Sequence, residues 1–126
     1  MPPFSVPVRC MIVDDSARFL EVATARLSQG GIDVVGTATT SHETLDKLGR
    51  LRPDIVLVDI SLGDESGLDL AARLVDRSDP PAVVLISTRA EADYTTLIAA
   101  SPAIGFIAKS RLSAQAVRAL VGASAP

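Results

Sequence analysis

The chain has 126 residues, of which 48% are hydrophobic, 21% charged and only 3% aromatic. This length and balance are typical of one globular domain with an aliphatic core. The formal net charge of −3 argues against a nucleic-acid-binding domain, since such domains usually carry a basic surface. With Cys10 as the only cysteine and His42 as the only histidine, a disulfide framework and a Cys/His zinc site are excluded.

Residues 1–126 are predicted to form a single domain, with its core at about residues 8–122 and a short segment at either end. Residues 1–7 have neither the basic n-region nor the apolar h-region of a signal peptide, and they are predicted to form a loose arm. Residues 123–126 are predicted to be a frayed tail or the beginning of a linker. No apolar stretch reaches about 18 residues, so we expect no membrane span and a cytoplasmic location.

Five short runs rich in Val and Ile alternate with segments whose apolar residues recur three and four positions apart. The runs are typical of buried parallel strands, and the segments are typical of helices. The predicted strands are 8–13, 32–39, 54–59, 81–87 and 104–108. The predicted helices are 17–29, 41–51, 67–77, 91–100 and 114–121, of which 91–100 has the least periodicity.

Capping patterns support two of these helices. Thr40 followed by Glu43 predicts a capping box at the start of the second helix. Ser113 is the predicted N-cap of the last helix, with Leu112 and Val117 placed as a hydrophobic staple. The regular alternation of strands and helices predicts an α/β fold, a doubly wound five-stranded parallel sheet with helices on both faces.

Polar residues follow four of the five predicted strands. They are Asp14 and Asp15 after the first, Asp59 at the end of the third, Ser87 and Thr88 at the fourth, and Lys109 at the fifth. In an open sheet of order 2-1-3-4-5, ligands bind at the carboxyl ends of the strands where the order reverses. We therefore expect these side chains to converge on one shallow site.

Three carboxylates in one crevice repel one another. Two unit charges about 4 Å apart cost roughly 4 kcal/mol at an effective dielectric near 20, and one lysine does not offset three acids. A divalent cation does, and oxygen ligands of this kind suit Mg²⁺. The sequence predicts a magnesium site, although an aspartate at this position is also a common helix N-cap.

Lys109 and Ser87 add a positive charge and a hydroxyl donor, a combination suited to phosphoryl oxygens. No histidine, cysteine or arginine ends a strand, so the candidate nucleophile is a carboxylate that would form an acyl phosphate. Asp59 is the best placed of the three, because it ends the middle strand of the site.

This set of motifs resembles the receiver domain of bacterial two-component response regulators, which has a flavodoxin-like fold. The resemblance covers about residues 8–122 and is carried by four stretches. They are the acidic pair "DD" (14–15), "LVDISLGDESG" around Asp59, "VVLIS" ending in Ser87, and "GFIAK" ending in Lys109. The stretch "GFIAKSRLS" is most similar to receivers that precede helix-turn-helix domains of the LuxR/NarL type.

The resemblance implies a role for each site residue. Asp59 would be the phosphoacceptor, and Asp15 and Asp59 would bind Mg²⁺ through their side chains. Ser61 would bind the ion through its backbone carbonyl, and Asp14 through water. Ser87 and Lys109 would contact the phosphoryl group.

The resemblance also implies a switch and partners. Ser87 would move toward the phosphoryl oxygens and the aromatic ring of Phe106 would swing inward. The surface of the fourth helix, fifth strand and fifth helix would then bind a partner or a second copy of the chain. The phosphoryl donor would be a sensor histidine kinase or a phosphotransfer protein, with no direct binding to nucleic acid or membrane. We expect the domain to catalyse its own phosphorylation and dephosphorylation but not to be a metabolic enzyme.

The sequence departs from the family pattern at three positions. Gly63 stands where proline is common, which loosens the acceptor loop, and Ser110 follows the lysine where proline is common. Thr88 is bulkier than the usual small residue after Ser87, which narrows access to the phosphoryl group.

Other functions stay open at this point. One is a degenerate receiver that acts as a phosphorylation-independent interaction module. Another is a flavin-binding protein of the same topology, although "DDSARFL" would repel a phosphate unless a metal intervened. The receiver would be either free-standing or followed by an output domain.

Overall fold

Seven strands and five helices follow one another along residues 7–89 and 91–124, the part of the chain that the computed structural model describes. The side chains of residues 91, 92, 123 and 124 are not described. Most of the predicted N-terminal arm (1–7) and the last two residues of the predicted tail (123–126) also lie outside the described residues.

The strands are six residues long or shorter. They are β1 (Arg9–Val13), β2 (Asp33–Ala38), β3 (Ile55–Asp59), β4 (Ser61–Leu62), β5 (Glu65–Ser66), β6 (Ala82–Ser87) and β7 (Gly105–Ala108). The helices are α1 (Ala17–Gln29), α2 (Ser41–Leu51), α3 (Gly67–Val75), α4 (Thr95–Ala100) and α5 (Ala114–Ser124). Short 3₁₀ turns cover Glu91–Tyr94 and Lys109–Arg111.

The five longer strands form one parallel sheet in the order β2-β1-β3-β6-β7. Because the short strands β4 and β5 were not predicted, β6 and β7 correspond to the fourth and fifth predicted strands, and the order equals the predicted 2-1-3-4-5. The doubly wound, flavodoxin-like α/β fold is confirmed. The central position of β1 and β3 puts the ends of these two strands side by side, where the strand order reverses.

Alternate residues of each central strand enter two separate apolar clusters, one on each face of the sheet. In β1, Ile12 packs with Leu27 of α1 and Val117 of α5, whereas Met11 packs on the other face with Leu70 of α3. Because both faces are buried, the strands are continuous apolar runs with no polar alternation. A site built from polar side chains must therefore lie at the ends of these strands.

Both predicted caps are present. The Glu43 amide donates to the Thr40 hydroxyl over 3.1 Å, and the Glu43 carboxylate accepts from the Thr39 amide over 2.7 Å. The Ser113 hydroxyl accepts from the Ala116 amide over 3.0 Å.

The structure corrects three of the predicted elements. The predicted helix 91–100 is a 3₁₀ turn followed by only six α-helical residues, because no side chain caps it at Tyr94 and none of its residues is buried. The predicted helix 67–77 ends at Val75, and the predicted helix 114–121 continues to Ser124. None of the helices in the described ranges is long and apolar enough to cross a bilayer.

Candidate functional site

Asp14 extends β1 by one residue, and its carboxylate is turned into the protein. Its amide donates to the Ala38 carbonyl over 3.0 Å, which continues the β1–β2 ladder, and its side chain is fully buried. One carboxylate oxygen, Oδ1, accepts from the Ser16 amide over 2.9 Å. Burial of an acid at this position is costly unless its charge is paired.

Neither aspartate of the pair caps helix α1. The cap is Ser16, whose hydroxyl accepts from the Phe19 amide over 3.2 Å. Asp15 is exposed at the mouth of the crevice. The pair is therefore not explained by capping of α1.

Asp59 ends β3, the middle strand of the sheet, and is 5% exposed. Its Oδ1 atom accepts from the Ser61 amide over 3.1 Å, which fixes the carboxylate at the strand end. The chain then returns so closely that a Cβ atom at Gly67 would lie 1.8 Å from the Asp59 carbonyl oxygen. Glycine is thus required where α3 begins.

A small hairpin that the sequence did not predict forms the loop after Asp59. Strands β4 and β5 pair Ser61 with Ser66 and Leu62 with Glu65, and the turn contains Gly63 at φ 61°. Proline cannot adopt this φ, so Gly63 gives the loop a different turn from one built on proline. The loop is nonetheless anchored, because the Glu65 carboxylate accepts from the Ser41 amide at the start of α2 over 2.9 Å.

Lys109 joins the two buried acids across the carboxyl edge of the sheet. Its Nζ atom lies 2.5 Å from Asp14 Oδ2 and 3.1 Å from Asp59 Oδ2. Apart from this ammonium, no donor among the described residues reaches Asp14 Oδ2. Residues that are far apart in the sequence thus share one charge network, as the convergence of strand ends predicted.

The three acids form a group that fits a divalent cation. Asp14, Asp15 and Asp59 each offer a carboxylate oxygen, and these atoms lie within 4.8 Å of one another. If all are ionised, three carboxylates and one ammonium leave a net charge of −2 (−3 + 1). An all-oxygen donor set with two uncompensated charges suits Mg²⁺. The residues present therefore fit the cation that the sequence predicts.

Burial and neighbouring charges both shift the pKa values of Asp59 and Lys109. Burial raises the pKa of Asp59 above its usual range, and the neighbouring Asp14 charge adds to this; Lys109 and the Ser61 amide oppose it. Burial by itself would lower the pKa of Lys109, but its contacts with Asp14 and Asp59 outweigh burial and raise it. The ammonium is therefore charged at neutral pH.

The remaining predicted site residues surround this network. Ser87 ends β6 and is buried, and its hydroxyl accepts from the Arg89 amide over 3.1 Å, while Thr88 is exposed. No hydrogen bond among the described residues joins Ser87 to Asp59 or Lys109. Phe106 lies in β7, half-buried, on the wall of an apolar groove of about 510 Å³ that Leu120 of α5 also lines.

Three residues that shape the site had no predicted role: Phe19, Glu65 and Gly67. The ring centroid of Phe19 lies 4.6 Å from Lys109 Nζ, a contact between distant parts of the chain that leaves no trace in the sequence. Gly67 did carry a signal, since glycine is a poor helix former at a predicted helix start. Only the path of the loop explains why it is needed there.

Comparisons with known proteins agree with this geometry. The family model described as "Response regulator receiver domain" matches residues 10–121. A protein-glutamate methylesterase/protein-glutamine glutaminase of Archaeoglobus fulgidus is 33% identical over 103 residues, which cover 81% of this chain and 30% of that protein. A protein of the same name from Xanthomonas campestris is 38% identical over 109 residues, with 84% and 30% covered. The chain thus spans about a third of the length of these relatives.

Solved structures give the same result for the fold. The signal receiver domain of the putative response regulator NarL from Mycobacterium tuberculosis superposes with a TM-score of 0.80 at 28% identity, covering 94% of this chain and 97% of that one. A response regulator from Thermotoga maritima has a TM-score of 0.79 at 23% identity, with 93% and 99% covered. With the strand order, the acid cluster and the family match taken together, the chain belongs to the response regulator receiver domain family.

Proposed function

We propose that this receiver is a signalling switch that accepts a phosphoryl group on Asp59, with Mg²⁺ bound beside it. One observation supports the proposal above all others: Lys109 contacts both Asp14 and Asp59 within a group of three convergent carboxylates. Such a cluster is costly for folding alone, because two of its carboxylates are buried and all three repel one another.

The metal would be held by Asp15 and Asp59 through their carboxylates, by the Ser61 carbonyl, and by Asp14 through water. When bound, Mg²⁺ would neutralise charge on the phosphoryl oxygens and act as a Lewis acid.

In the proposed reaction, an Asp59 carboxylate oxygen attacks the phosphorus of the donor. A new O–P bond forms an acyl phosphate as the N–P bond of a kinase phosphohistidine breaks, and the bonding electron pair leaves with the imidazole nitrogen. Lys109 already stands 3.1 Å from Asp59 Oδ2, so its charge is in place for the incoming phosphoryl oxygens. Hydrolysis of the acyl phosphate by water would reset the domain.

Ser87 supplies the second contact to the phosphoryl group. Its oxygen accepts from the Arg89 amide, which leaves its own O–H free to donate. Thr88, exposed beside it, narrows the approach to Asp59 and so modulates the rates of phosphorylation and dephosphorylation.

The output surface in this proposal is formed by α4, β7 and α5. Movement of Ser87 toward the phosphoryl group would let the Phe106 ring turn inward, and it would change the groove that Phe106 and Leu120 line. A partner protein or a second copy of the chain would bind this surface. The proposal covers the receiver alone, because the chain matches only 30% of the methylesterase relatives.

The test is phosphorylation by acetyl phosphate with Mg²⁺, followed by intact-protein mass spectrometry. The wild-type chain is expected to gain one phosphoryl group in an acid-stable, base-labile linkage, and Asp59→Asn to gain none. Asp64→Asn is the matched control, since Asp64 is an exposed acid in the turn of the same hairpin. Equal labelling of Asp59→Asn would overturn the acceptor assignment. Partner binding that is independent of phosphorylation would favour an interaction module instead.

A further inference from the structure

The Lys109 ammonium has a third neighbour besides the two carboxylates. The ring of Phe19 lies against it, with 4.6 Å between Nζ and the ring centroid. Phe19 is in the first turn of α1, where its amide donates to the Ser16 hydroxyl, and its side chain packs against the apolar cluster between the sheet and helices α1 and α5. The position of the ring is therefore fixed by the backbone of α1 and by the packing of the ring against this cluster.

An aromatic face attracts an ammonium through the ring quadrupole, and the attraction is stronger when the pair is shielded from water. The Lys109 side chain is only 13% exposed, so the Phe19 contact is shielded in this way. A lysine side chain has four flexible methylene groups and carries a compact, strongly hydrated charge. Without the ring, one side of the ammonium would be open to water, and the side chain would gain alternative positions.

We propose that Phe19 is a positioning residue, whose ring face holds the Lys109 ammonium over the Asp59 carboxylate. This role rests on the proposed function, in which Lys109 must meet the phosphoryl oxygens as they arrive. The contact also joins α1 to Lys109, the residue that follows β7. Because only the N-cap Ser16 separates Asp15 from α1, the start of this helix places both Asp15 and the ring that holds Lys109.

The first measurement is the proton chemical shift of the Lys109 ε-methylene group, with no phosphoryl donor present. The wild-type ring is expected to shift this signal upfield. Phe19→Tyr keeps the aromatic face and is expected to keep the shift. Phe19→Leu and Phe19→Met keep apolar volume without a ring and are expected to lose it. An unchanged shift in both ring-less variants would overturn the contact.

The second measurement is the rate of phosphorylation by acetyl phosphate at saturating Mg²⁺. Phe19→Leu and Phe19→Met are expected to react about fivefold more slowly, equivalent to about 1 kcal/mol at 1.36 kcal/mol per tenfold. Phe19→Tyr is expected to restore the wild-type rate to within about twofold. Equal slowing by Tyr, Leu and Met would show that the ring packs without positioning Lys109.

The two proposals fail in different ways. If the wild-type chain takes up no phosphoryl group, the proposed function fails, while the chemical shift still decides the contact. If the wild type reacts and the folded ring-less variants react at the same rate, only the positioning role fails. Two ring-less variants, Phe19→Leu and Phe19→Met, are used so that one remains if the other does not fold. Thermal unfolding shows which of them are folded.

Discussion

Helices α2 and α3 differ sharply from α4, although all three cover the same face of the sheet. The hydroxyl of Thr40 caps α2 and that of Ser66 caps α3, and both helices bury residues against the sheet. Helix α4 has no side-chain cap and no buried residue, and Leu97 on it is 50% exposed. The anchored helices flank the acceptor loop, whereas α4 lies on the proposed output surface.

The contrast fits two different requirements of the proposed function, a rigid site and a surface that rearranges. A site for phosphoryl transfer needs its groups held in place before the reaction. A switch surface needs an element whose rearrangement costs little, and such elements come from the least stable part of a structure. Helices α2 and α3 flank the loop that carries Asp59, whereas the thinly packed α4 is the element expected to rearrange in the proposed switch.

The largest expected effect is that of Gly67→Ala, at the start of α3. Its Cβ atom would lie 1.8 Å from the Asp59 carbonyl oxygen, so the acceptor loop must shift. We expect a loss of unfolding free energy of about 3 kcal/mol or more, measured by urea denaturation. Gly49→Ala is the matched control in α2, where nothing lies within 4 Å of the new Cβ atom. It is expected to stabilise the chain by about 0.5–1 kcal/mol, and equal losses in both would contradict the account.

A second pair of variants compares α3 with α4 directly. Leu70→Ala removes a side chain that is 1% exposed and is expected to cost about 3 kcal/mol, through lost burial and the cavity that remains. Leu97→Ala in α4 is expected to change stability by less than about 0.5 kcal/mol. Denaturation curves of the two variants measure this difference. A loss at Leu97 similar to that at Leu70 would show that α4 is anchored after all.

The smallest expected effect concerns the cap of α2. The amide of Thr39 and the ammonium of Lys47 hold the pKa of Glu43 below its usual range. Because the folded-state pKa is lowered, the stabilisation is present above the unfolded-state pKa and is lost as the pH falls through the folded-state value. Glu43→Gln should therefore destabilise the chain at pH 7 by about 0.5 kcal/mol, a small effect because the pair is solvent-screened.

The same variant gives a pH test of the cap. The gap in melting temperature between Glu43→Gln and wild type is expected to narrow as the pH falls below about 4.3, the ordinary pKa of glutamate, and to close once the carboxylate is protonated. Glu21→Gln, at an exposed position of α1, serves as the control. A gap that persists in acid would show that the carboxylate charge is not what stabilises the cap.

Much of the fold could be predicted from the sequence because its signals are local. The spacing of apolar residues and the capping box at Thr40 placed α1 and α2 at their observed bounds. Helix α4 was predicted poorly, because its residues contact little that would impose a period. The hairpin β4–β5 has only two residues a strand and leaves no periodic signal.

The candidate site was predictable to the extent that strand ends must meet at one edge of a parallel sheet. That rule predicted that Asp14, Asp59 and Lys109 lie together, and in the structure Lys109 contacts both acids. The contact between Phe19 and Lys109 could not be predicted, because it depends on the rotation of α1 over the sheet. The roles of the assembled residues stay predictions for the experiments above.

Calorimetric titration of the chain with Mg²⁺ measures whether the acid cluster binds the ion, as proposed. We expect one ion to bind per chain, Asp15→Asn to weaken binding by at least about tenfold, or 1.4 kcal/mol, and Asp64→Asn to leave it unchanged. Absence of Mg²⁺ binding by the wild-type chain, or equal binding by Asp15→Asn, would contradict the account.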